Sequence, residues 1–429
     1  MGNLENNKHK FRTCYIFLKK YWVIIALVLI IYLGFQIRVS GFFDSNGYYK
    51  WDYLRNIDSY TYLREMTLIV KNGGIMPQCF YDRLAPIGDC RQEYMGPPRF
   101  PYHYIGSWSY MLIGSSFGLQ LWEWLIYLPA ILASLMAIPM YFLGRSLYDK
   151  RAGVLTALFV VIAPSIMLRT LGGDPDSDAV VMFLGMLALS SYFYTYSKIK
   201  DKLDKKVIAL SVISGFLLAV FGFMWEHWYI FLVIFGFLIT RSIISFVYYK
   251  KTRNSSGFKW LKLVWISFAI YFVSYVVFIA PFPGASSGTG AVTQLFSKPF
   301  EFSGLLSDGG GLKSEGVGFP NVYVSVAELQ KGGIIMDMQT IIDVMQRSGF
   351  ELFIAAIIGL VYCCASLVFR KRHLDIIILL VFWIGGTYFV SVFAVRFAIL
   401  LTPALALGAS IIFAKLFRVI LKEDNNILD

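Results

Sequence analysis

Long runs of apolar residues alternate with short polar segments along almost the whole chain. A helix needs roughly 17 to 25 mostly apolar residues to cross the hydrocarbon core of a bilayer. Ten runs of this kind lie at 16–37, 121–144, 152–169, 179–196, 207–223, 227–249, 260–281, 351–369, 375–392 and 397–417. The pattern predicts an all-α polytopic membrane protein with about ten transmembrane helices.

Composition supports the same class. Apolar residues make up 57% of the 429 residues, charged residues make up 15%, and the mean hydropathy is +0.61. Ordinary soluble domains are about half apolar and about a quarter charged. This composition excludes an ordinary soluble domain.

The net charge of +12 reflects membrane topology. When the ten runs are threaded with the N-terminus inside, 25 of the 39 Lys and Arg residues fall on the inner side, with only 8 of the 27 acidic residues. The inner segments are 1–20, 145–151, 198–206, 241–262, 370–375 and 415–429. Cytoplasmic segments carry such an excess of basic residues, so we expect both termini to be cytoplasmic and no nucleic-acid partner.

Two long segments lie on the predicted outer side, at 38–120 and 282–350, whereas every inner segment is short. Connections of this length are usually functional. The stretch 101–118 is too short and too polar for a span, and we interpret it as a re-entrant or interfacial helix. Cys79 and Cys90 also lie in the first outer segment, either as a disulfide or as two free thiols.

Three aspartates occur within five positions in GGDPDSDAVVMF, at 172–183. Asp174, Asp176 and Asp178 lie between two apolar runs on the outer side, and ionisable groups at membrane level mark functional sites. The alternative is an ordinary Gly/Asp/Pro turn in which Asp178 caps the following helix.

Two further outer acids have the chemistry of a shared site. RNIDSYTYLRE, at 55–65, places Asp58 just after the first span, and FPNVYVSVAELQKGG, at 319–333, contains Glu328. Carboxylates together with phosphate oxygens are the usual ligands of Mg²⁺, and Mn²⁺ accepts the same donors. A divalent cation and a diphosphate at the membrane surface would satisfy this set, although acids in exposed loops are also common.

A basic side chain that could bind a phosphate is present in the segment SVFAVRFAILLTP, at 391–403. Arg396 lies there at the outer end of the last span, and the planar arginine fork suits phosphate oxygens; the alternative is a snorkelling arginine. The outer segment MWEHWYIF adds Trp225, Glu226 and His227, which we interpret as a site lining, with interfacial tryptophans as the alternative.

These motifs resemble the catalytic subunit of oligosaccharyltransferases, which are polytopic enzymes of the glycosyltransferase C type. That family moves a lipid-linked oligosaccharide onto asparagine. It has an aspartate after the first span, a DxD-like motif in the second outer loop, and an SVSE-type or TIxE-type motif in a late outer loop. Ser325 to Glu328 match the last of these, and VRFAILLTP resembles the family's arginine with its Leu-Thr-Pro run.

The resemblance implies roles for individual residues. Asp58, Asp176 and Asp178 would bind Mg²⁺ or Mn²⁺, with Glu328 nearby, and Arg396 would hold the diphosphate of a polyprenyl-linked or dolichyl-linked oligosaccharide. Asp58 and Glu328 would be catalytic, because carboxylates that accept both N–H bonds of the acceptor carboxamide weaken its conjugation. The expected activity is metal-dependent glycan transfer to protein asparagine on the outer face of the cell membrane.

The resemblance covers only the membrane portion of the family. Family members carry about three more spans and a C-terminal globular domain with a WWDYG motif, and neither has a counterpart here. We therefore expect one transmembrane catalytic domain, 1–429, without a C-terminal soluble domain, and a separate acceptor-recognition subunit. Transfer to a non-asparagine acceptor and a non-catalytic scaffold of a glycosylation complex remain alternatives. A transporter is disfavoured, because the acids lie at outer helix ends and not near mid-membrane.

Overall fold

The computed structural model describes residues 2–44, 46–47, 49, 54, 57–77, 101–225, 227–253, 255–281, 290–297, 338–370, 373–393 and 397–421. In chain order the helices are α1 (Gly2–Val39), α2 (Ile57–Lys71), α3 (Pro101–Leu112), α4 (Leu121–Leu135), α5 (Ala137–Leu147), α6 (Lys150–Ile162), α7 (Pro164–Arg169), α8 (Asp178–Tyr196), α9 (Lys205–Met224), α10 (Trp228–Thr252), α11 (Ser255–Ile279), α12 (290–297), α13 (Met338–Ser348), α14 (Phe350–Arg370), α15 (Leu374–Phe393) and α16 (Ala398–Ile420). The prediction of an all-α polytopic membrane fold is confirmed.

Nine helical segments within the described residues are long and apolar enough to cross a membrane, one fewer than expected. The predicted span 152–169 is divided, because α6 ends at Ile162 and α7 begins at Pro164. Proline has no backbone N–H to donate and disfavours helical geometry in the residue before it. Ala163 accordingly has an extended conformation, with φ −60° and ψ 126°. The division leaves α7 as a separate short helix that leads into residues 172–178, which we call the aspartate segment.

The last helix, α16, occupies the centre of the bundle. Of its span, 83% is buried, compared with 22% for the span in α1 and 17% for that in α14. It packs against α6, α14 and α15, and its N-terminal part also contacts α7 and α13. The segment that follows Arg396 therefore enters the middle of the protein, whereas α1 and α14 lie at the periphery.

Ion pairs join helices at the predicted inner ends. Asp149 caps α6 by accepting a hydrogen bond from the Ala152 N–H at 2.7 Å, and it also pairs with Arg418 at the end of α16. Arg241 in α10 pairs with Asp375 in α15. All four charged residues belong to the segments predicted to be inside.

Helices α2 and α3 form a unit at the predicted outer end of the bundle. The Ser107 hydroxyl donates to the Met66 carbonyl at 3.2 Å, and the Trp108 indole N–H donates to the Gly74 carbonyl at 2.8 Å. The unit packs on the outer ends of α4 and α8 through an apolar cluster that includes Tyr102. The stretch 101–118 thus contains a 12-residue helix and a 3-10 turn at Gly114–Phe117, too short to span the membrane.

The free end of this unit is apolar and uncharged. Leu112 is 77% exposed and Phe117 is 75% exposed, and residues 101–120 contain no Asp, Glu, Lys or Arg. The chain enters the span of α4 at Leu121, so this end must lie at the membrane surface. Apolar side chains in that position are typical of interfacial segments.

We therefore expect Leu112 and Phe117 to contact lipid. In a cysteine-free background reconstituted in bilayers, an environment-sensitive fluorophore at Leu112→Cys or Phe117→Cys should be quenched by lipids spin-labelled at the headgroup or upper acyl chain. The same fluorophore at Asn46→Cys, in an exposed outer turn, should not be. Equal quenching at all three positions would contradict an interfacial location.

Candidate functional site

Two glycines anchor the aspartate segment to the last turn of α1 and the first turns of α4. The Gly172 N–H donates to the Arg38 carbonyl at 3.0 Å, and the Gly173 N–H donates to the Ile126 carbonyl at 3.2 Å. Gly173 has φ +77°, and a Cβ there would lie 2.0 Å from the ring of Phe42. Only glycine fits this combination of backbone angle and space, so the local sequence determines where the aspartates begin.

Helix α2 is hydrogen-bonded to two of the three aspartates. The Ser59 hydroxyl donates to Asp174 Oδ1 at 3.3 Å, and the Tyr62 hydroxyl donates to Asp176 Oδ1 at 3.1 Å. Asp58 precedes Ser59 in the first turn of α2, although its side chain lies outside the described residues. The structure therefore brings the helical turn that carries Asp58 against the aspartate segment.

Asp176 carries its hydrogen bonds on one oxygen. Besides the Tyr62 hydroxyl, Oδ1 accepts from the Ser177 N–H at 2.5 Å and from the Ser177 hydroxyl at 3.2 Å. Within the described part of the chain, no hydrogen bond falls on Oδ2. Burial and the neighbouring Asp176 carboxylate raise the pKa of Tyr62, so this phenol is a donor at neutral pH.

Asp178 is the first residue of α8, as the sequence indicated, but it is not the N-cap residue. Ser177 is the N-cap residue, and it makes no side-chain capping bond. Asp178 Oδ2 instead lies 3.8 Å from Arg169 Nη1, at the end of α7. A carboxylate in the first turn is favoured by the helix dipole, and this ion pair connects the two ends of the aspartate segment.

Sequence reasoning missed Arg38, a buried arginine beneath the site. Its side chain is 1% exposed, its Nε donates to the Thr170 hydroxyl at 2.8 Å, and its Nη1 donates to the Gly34 carbonyl at 3.0 Å. The Thr170 hydroxyl in turn donates to the Ile166 carbonyl at 2.7 Å. The side chain of Arg38 thus connects α1 to Thr170, and its backbone connects α1 to Gly172, both in the segment between α7 and α8.

Helix α16 is tied to the same region from its other side. The hydroxyls of Ser165, in α7, and Thr402, in the first turns of α16, are 2.6 Å apart. Thr402 belongs to the run that follows Arg396. Arg396 itself and Glu328 lie outside the described residues, as do Glu226, Cys79 and Cys90.

The two described residues of the predicted lining differ in their surroundings. The ring of Trp225 lies 6.1 Å from that of Phe397, the residue after Arg396, so it adjoins the start of α16. His227 is 3% exposed, and its Nε2 lies 2.5 Å from the Tyr275 hydroxyl of α11. His227 therefore sits in a buried contact between helices.

The donors that are present fit a hard divalent cation only in part. The described residues contain no group of three His, Cys, Asp or Glu side chains arranged to hold a metal ion. Two of the predicted ligands, Asp176 and Asp178, both lie close enough to Tyr62 to raise its pKa, and Asp176 Oδ2 accepts no hydrogen bond from the described residues. Oxygen ligands of this kind suit Mg²⁺ or Mn²⁺. The metal site with Asp58 stays a prediction.

Features of the sequence could have indicated two of the residues that the sequence analysis missed, Tyr62 and Arg38. Tyr62 lies four positions after Asp58 on the same helix, a spacing at which residues share a face. Arg38 is a lone arginine at the outer end of an apolar run, as is Arg396. Thr170 and Ser165 carry no comparable signal, because hydroxyl residues are common in membrane helices.

The helix bundle and the carboxylates at one end of it define a polytopic membrane protein with an acidic candidate site. Residues 23–423 match a family described as Oligosaccharyl transferase STT3, N-terminal. The chain belongs to this family.

Curated relatives of the chain are longer than it is. The dolichyl-phosphooligosaccharide-protein glycotransferase of Methanococcus voltae is 23% identical over 90% of this chain and 45% of its own length. Its counterpart in Methanocaldococcus jannaschii is 26% identical over 70% of this chain and 38% of its own length. The chain thus spans less than half the length of these relatives.

Solved structures show the same fold. The archaeal oligosaccharyltransferase AglB from Archaeoglobus fulgidus, in complex with an inhibitory peptide and a dolichol-phosphate, has a TM-score of 0.61 and 20% identity. It covers 95% of this chain, which covers 52% of it. The apo form of an oligosaccharyltransferase from the same organism has a TM-score of 0.63 and 18% identity, with equal coverage. The predicted glycosyltransferase C type fold is confirmed.

The Arg38–Thr170 contact yields a stability prediction. Thr170→Val keeps the side-chain shape but leaves a buried guanidinium donor without its acceptor, which costs about 1–3 kcal/mol. We expect a clearly lower thermal midpoint in detergent, followed by tryptophan fluorescence. Thr67→Val is the matched control, because among the described residues that hydroxyl bonds only to a carbonyl of its own helix. Equal losses in both variants would contradict the tertiary role of Thr170.

A second prediction concerns pH and His227. Burial lowers the pKa of His227, so the neutral ring stabilises the fold above the unfolded-state pKa of about 6.5. This contribution is lost as the pH falls from there towards the folded-state value. We expect the thermal midpoint of His227→Gln to fall less steeply with decreasing pH than that of the unsubstituted protein. If the thermal midpoints of the two proteins changed equally with pH, His227 would not contribute to the pH dependence of stability.

Proposed function

We propose that this protein transfers a glycan from a polyprenyl-linked or dolichyl-linked diphosphate carrier to asparagine in an acceptor polypeptide, in a reaction that needs Mg²⁺ or Mn²⁺. The active site is on the outer face of the cell membrane, and both termini are cytoplasmic. The catalytic residues are Asp58 and Glu328.

One observation carries the proposal. Hydrogen bonds from Ser59 and Tyr62 hold the first turns of α2 against Asp174 and Asp176. The helical turn that contains Asp58 therefore adjoins the aspartate segment, as a shared cation site requires. Two relatives are named dolichyl-phosphooligosaccharide-protein glycotransferases, and a structure with the same fold contains a peptide and a dolichol-phosphate.

The chemistry explains why these residue types are needed. An amide nitrogen is a weak nucleophile, because its lone pair is delocalised into the carbonyl group. Asp58 and Glu328 would accept the two N–H bonds of the carboxamide and thereby reduce this delocalisation. Arg396 would bind the diphosphate that leaves the sugar, since arginine pairs with phosphate oxygens through two parallel hydrogen bonds. The cation, held by Asp58, Asp176 and Asp178, would supply further stabilisation of the negative charge that develops there.

The approach of α16 to the aspartate segment agrees with this assignment. Ser165 and Thr402 join α7 to the first turns of α16, and Trp225 contacts Phe397. The first turns of α16 thus adjoin α7, which leads into the aspartate segment, and the headgroup of a lipid carrier would bind there. A separate subunit would contribute to acceptor recognition.

The proposal predicts a defined pattern in a transfer assay. Purified protein in bilayers with Mn²⁺ should move a radiolabelled lipid-linked oligosaccharide onto an Asn-x-Thr peptide, with a membrane extract added to supply partners. Asp58→Ala, Asp176→Ala and Glu328→Ala should each lower the rate by about 100-fold or more, as expected when a group that stabilises the transition state is removed. Chelation should abolish transfer, and Mn²⁺ should restore it.

The matched control is Asp343→Asn, an acid of α13 that bonds to Gln339 of its own helix; its rate should stay near that of the unsubstituted protein. Transfer only to hydroxyl or lipid acceptors would replace asparagine with another acceptor. No transfer to any acceptor would identify a non-catalytic member of a glycosylation complex.

A further inference from the structure

Asp176 receives one tertiary hydrogen bond within the described part of the chain. The donor is the Tyr62 hydroxyl, 114 residues away in sequence and 3.1 Å away in space. The other two donors belong to Ser177, the next residue, and move with the segment itself. The orientation of the Asp176 carboxylate relative to the helices therefore depends on Tyr62.

The three hydrogen bonds have an asymmetric distribution. All of them fall on Oδ1, so rotation of the carboxylate about its last torsion would break three contacts at once. The lone pairs of Oδ2 are available to a ligand that takes no part in these three hydrogen bonds. A carboxylate held in this way is prepared for monodentate binding of a cation, because its orientation is set before the ion arrives.

The phenol ring is held independently of its hydroxyl. Tyr102 contacts it edge-on, with ring centroids 5.3 Å apart, and the ring of His103 lies 5.2 Å away. His103 Nε2 is 2.8 Å from Glu65 Oε2 of α2, so α3 is fastened to α2 beside the ring. A phenylalanine at position 62 would therefore keep the ring packing and lose only the donor.

We propose that Tyr62 is a positioning residue that fixes Asp176 with Oδ2 presented to the divalent cation and holds the helical turn of Asp58 at the distance that a shared ion requires. This inference rests on the proposed metal-dependent function. Tyr62 lies one helical turn after Asp58 on α2, so a single helix supplies both a predicted ligand and the donor that orients another.

The test is Tyr62→Phe in the full chain, reconstituted in lipid nanodiscs. Bound Mn²⁺ is measured by electron paramagnetic resonance, and the Mn²⁺ dependence of transfer is measured in parallel. Loss of a group that orients a metal ligand typically weakens metal binding by about 10–100-fold. We expect Tyr62→Phe to raise the Mn²⁺ dissociation constant by about tenfold, while the rate at saturating Mn²⁺ stays close to that of the unsubstituted protein.

Tyr110→Phe is the matched control, because Tyr110 lies in α3 of the same outer unit and its hydroxyl makes no hydrogen bond to described residues. Its Mn²⁺ affinity should be unchanged. An unchanged affinity in Tyr62→Phe, or an equal loss in both variants, would overturn the proposal. Asp176→Asn separates the two hypotheses: if it leaves Mn²⁺ binding intact, the metal assignment fails, and the role of Tyr62 fails with it.

A metal-free measurement distinguishes positioning from general stability. Thermal midpoints are compared for Tyr62→Phe, Asp176→Asn and the double variant. If Tyr62 acts through Asp176, Tyr62→Phe lowers the midpoint by itself but has no further effect when Asp176 is already substituted. Additive losses would show that the Tyr62 hydroxyl supports the fold by another route and would overturn the proposal.

Discussion

Carboxylates at the edge of the hydrocarbon region must be held by hydrogen-bond donors, and this constraint organises the end of the helix bundle that carries the aspartate segment. An unpaired charge at this level costs several kcal/mol. Asp174 and Asp176 meet the requirement through hydroxyl donors of α2, and Asp178 meets it through Arg169. Neutral hydroxyls satisfy an aspartate without neutralising it. The segment therefore keeps negative charge available for a cation. A second arginine, in place of Tyr62, would neutralise part of that charge.

The aspartate segment is also where the bundle is joined together. Gly172 and Gly173 bond to the ends of α1 and α4, and Arg38 reaches Thr170 from beneath. Ser165 connects α7 to the central helix α16. Because these contacts involve different helices, the segment cannot shift without disturbing several buried hydrogen bonds. A rigid support of this kind is what pre-organised carboxylates require.

The break at Pro164 has a structural consequence for the site. A continuous helix through 152–169 would carry Ser165 and Arg169 along the axis of α6. The turn at Ala163 redirects α7, so that Ser165 meets Thr402 and Arg169 meets Asp178. Both polar pairs, Ser165 with Thr402 and Arg169 with Asp178, are formed between different helices. A local backbone rule thus positions a tertiary network.

Much of the architecture was encoded in local sequence. Apolar run length predicted the helices, the distribution of Lys and Arg predicted which ends share a side, and the short uncharged stretch at 101–118 predicted a helix too short to span. These properties depend on residues near one another in the chain and on the thickness of the bilayer. The motif order also led to the family to which residues 23–423 belong.

The polar contacts between distant parts of the chain were decided by tertiary structure alone. Tyr62 and Asp176 are 114 residues apart, Arg38 and Thr170 are 132 apart, and Ser165 and Thr402 are 237 apart. Hydrophobic periodicity describes which face of a helix is buried, but it carries no information on which helices become neighbours or at what height. His227 shows the same limit: its sequence context indicated a site lining, and the packing of α10 on α11 placed it against Tyr275. The sequence determined most of the membrane helices through local physics, whereas helix packing determined which polar groups meet.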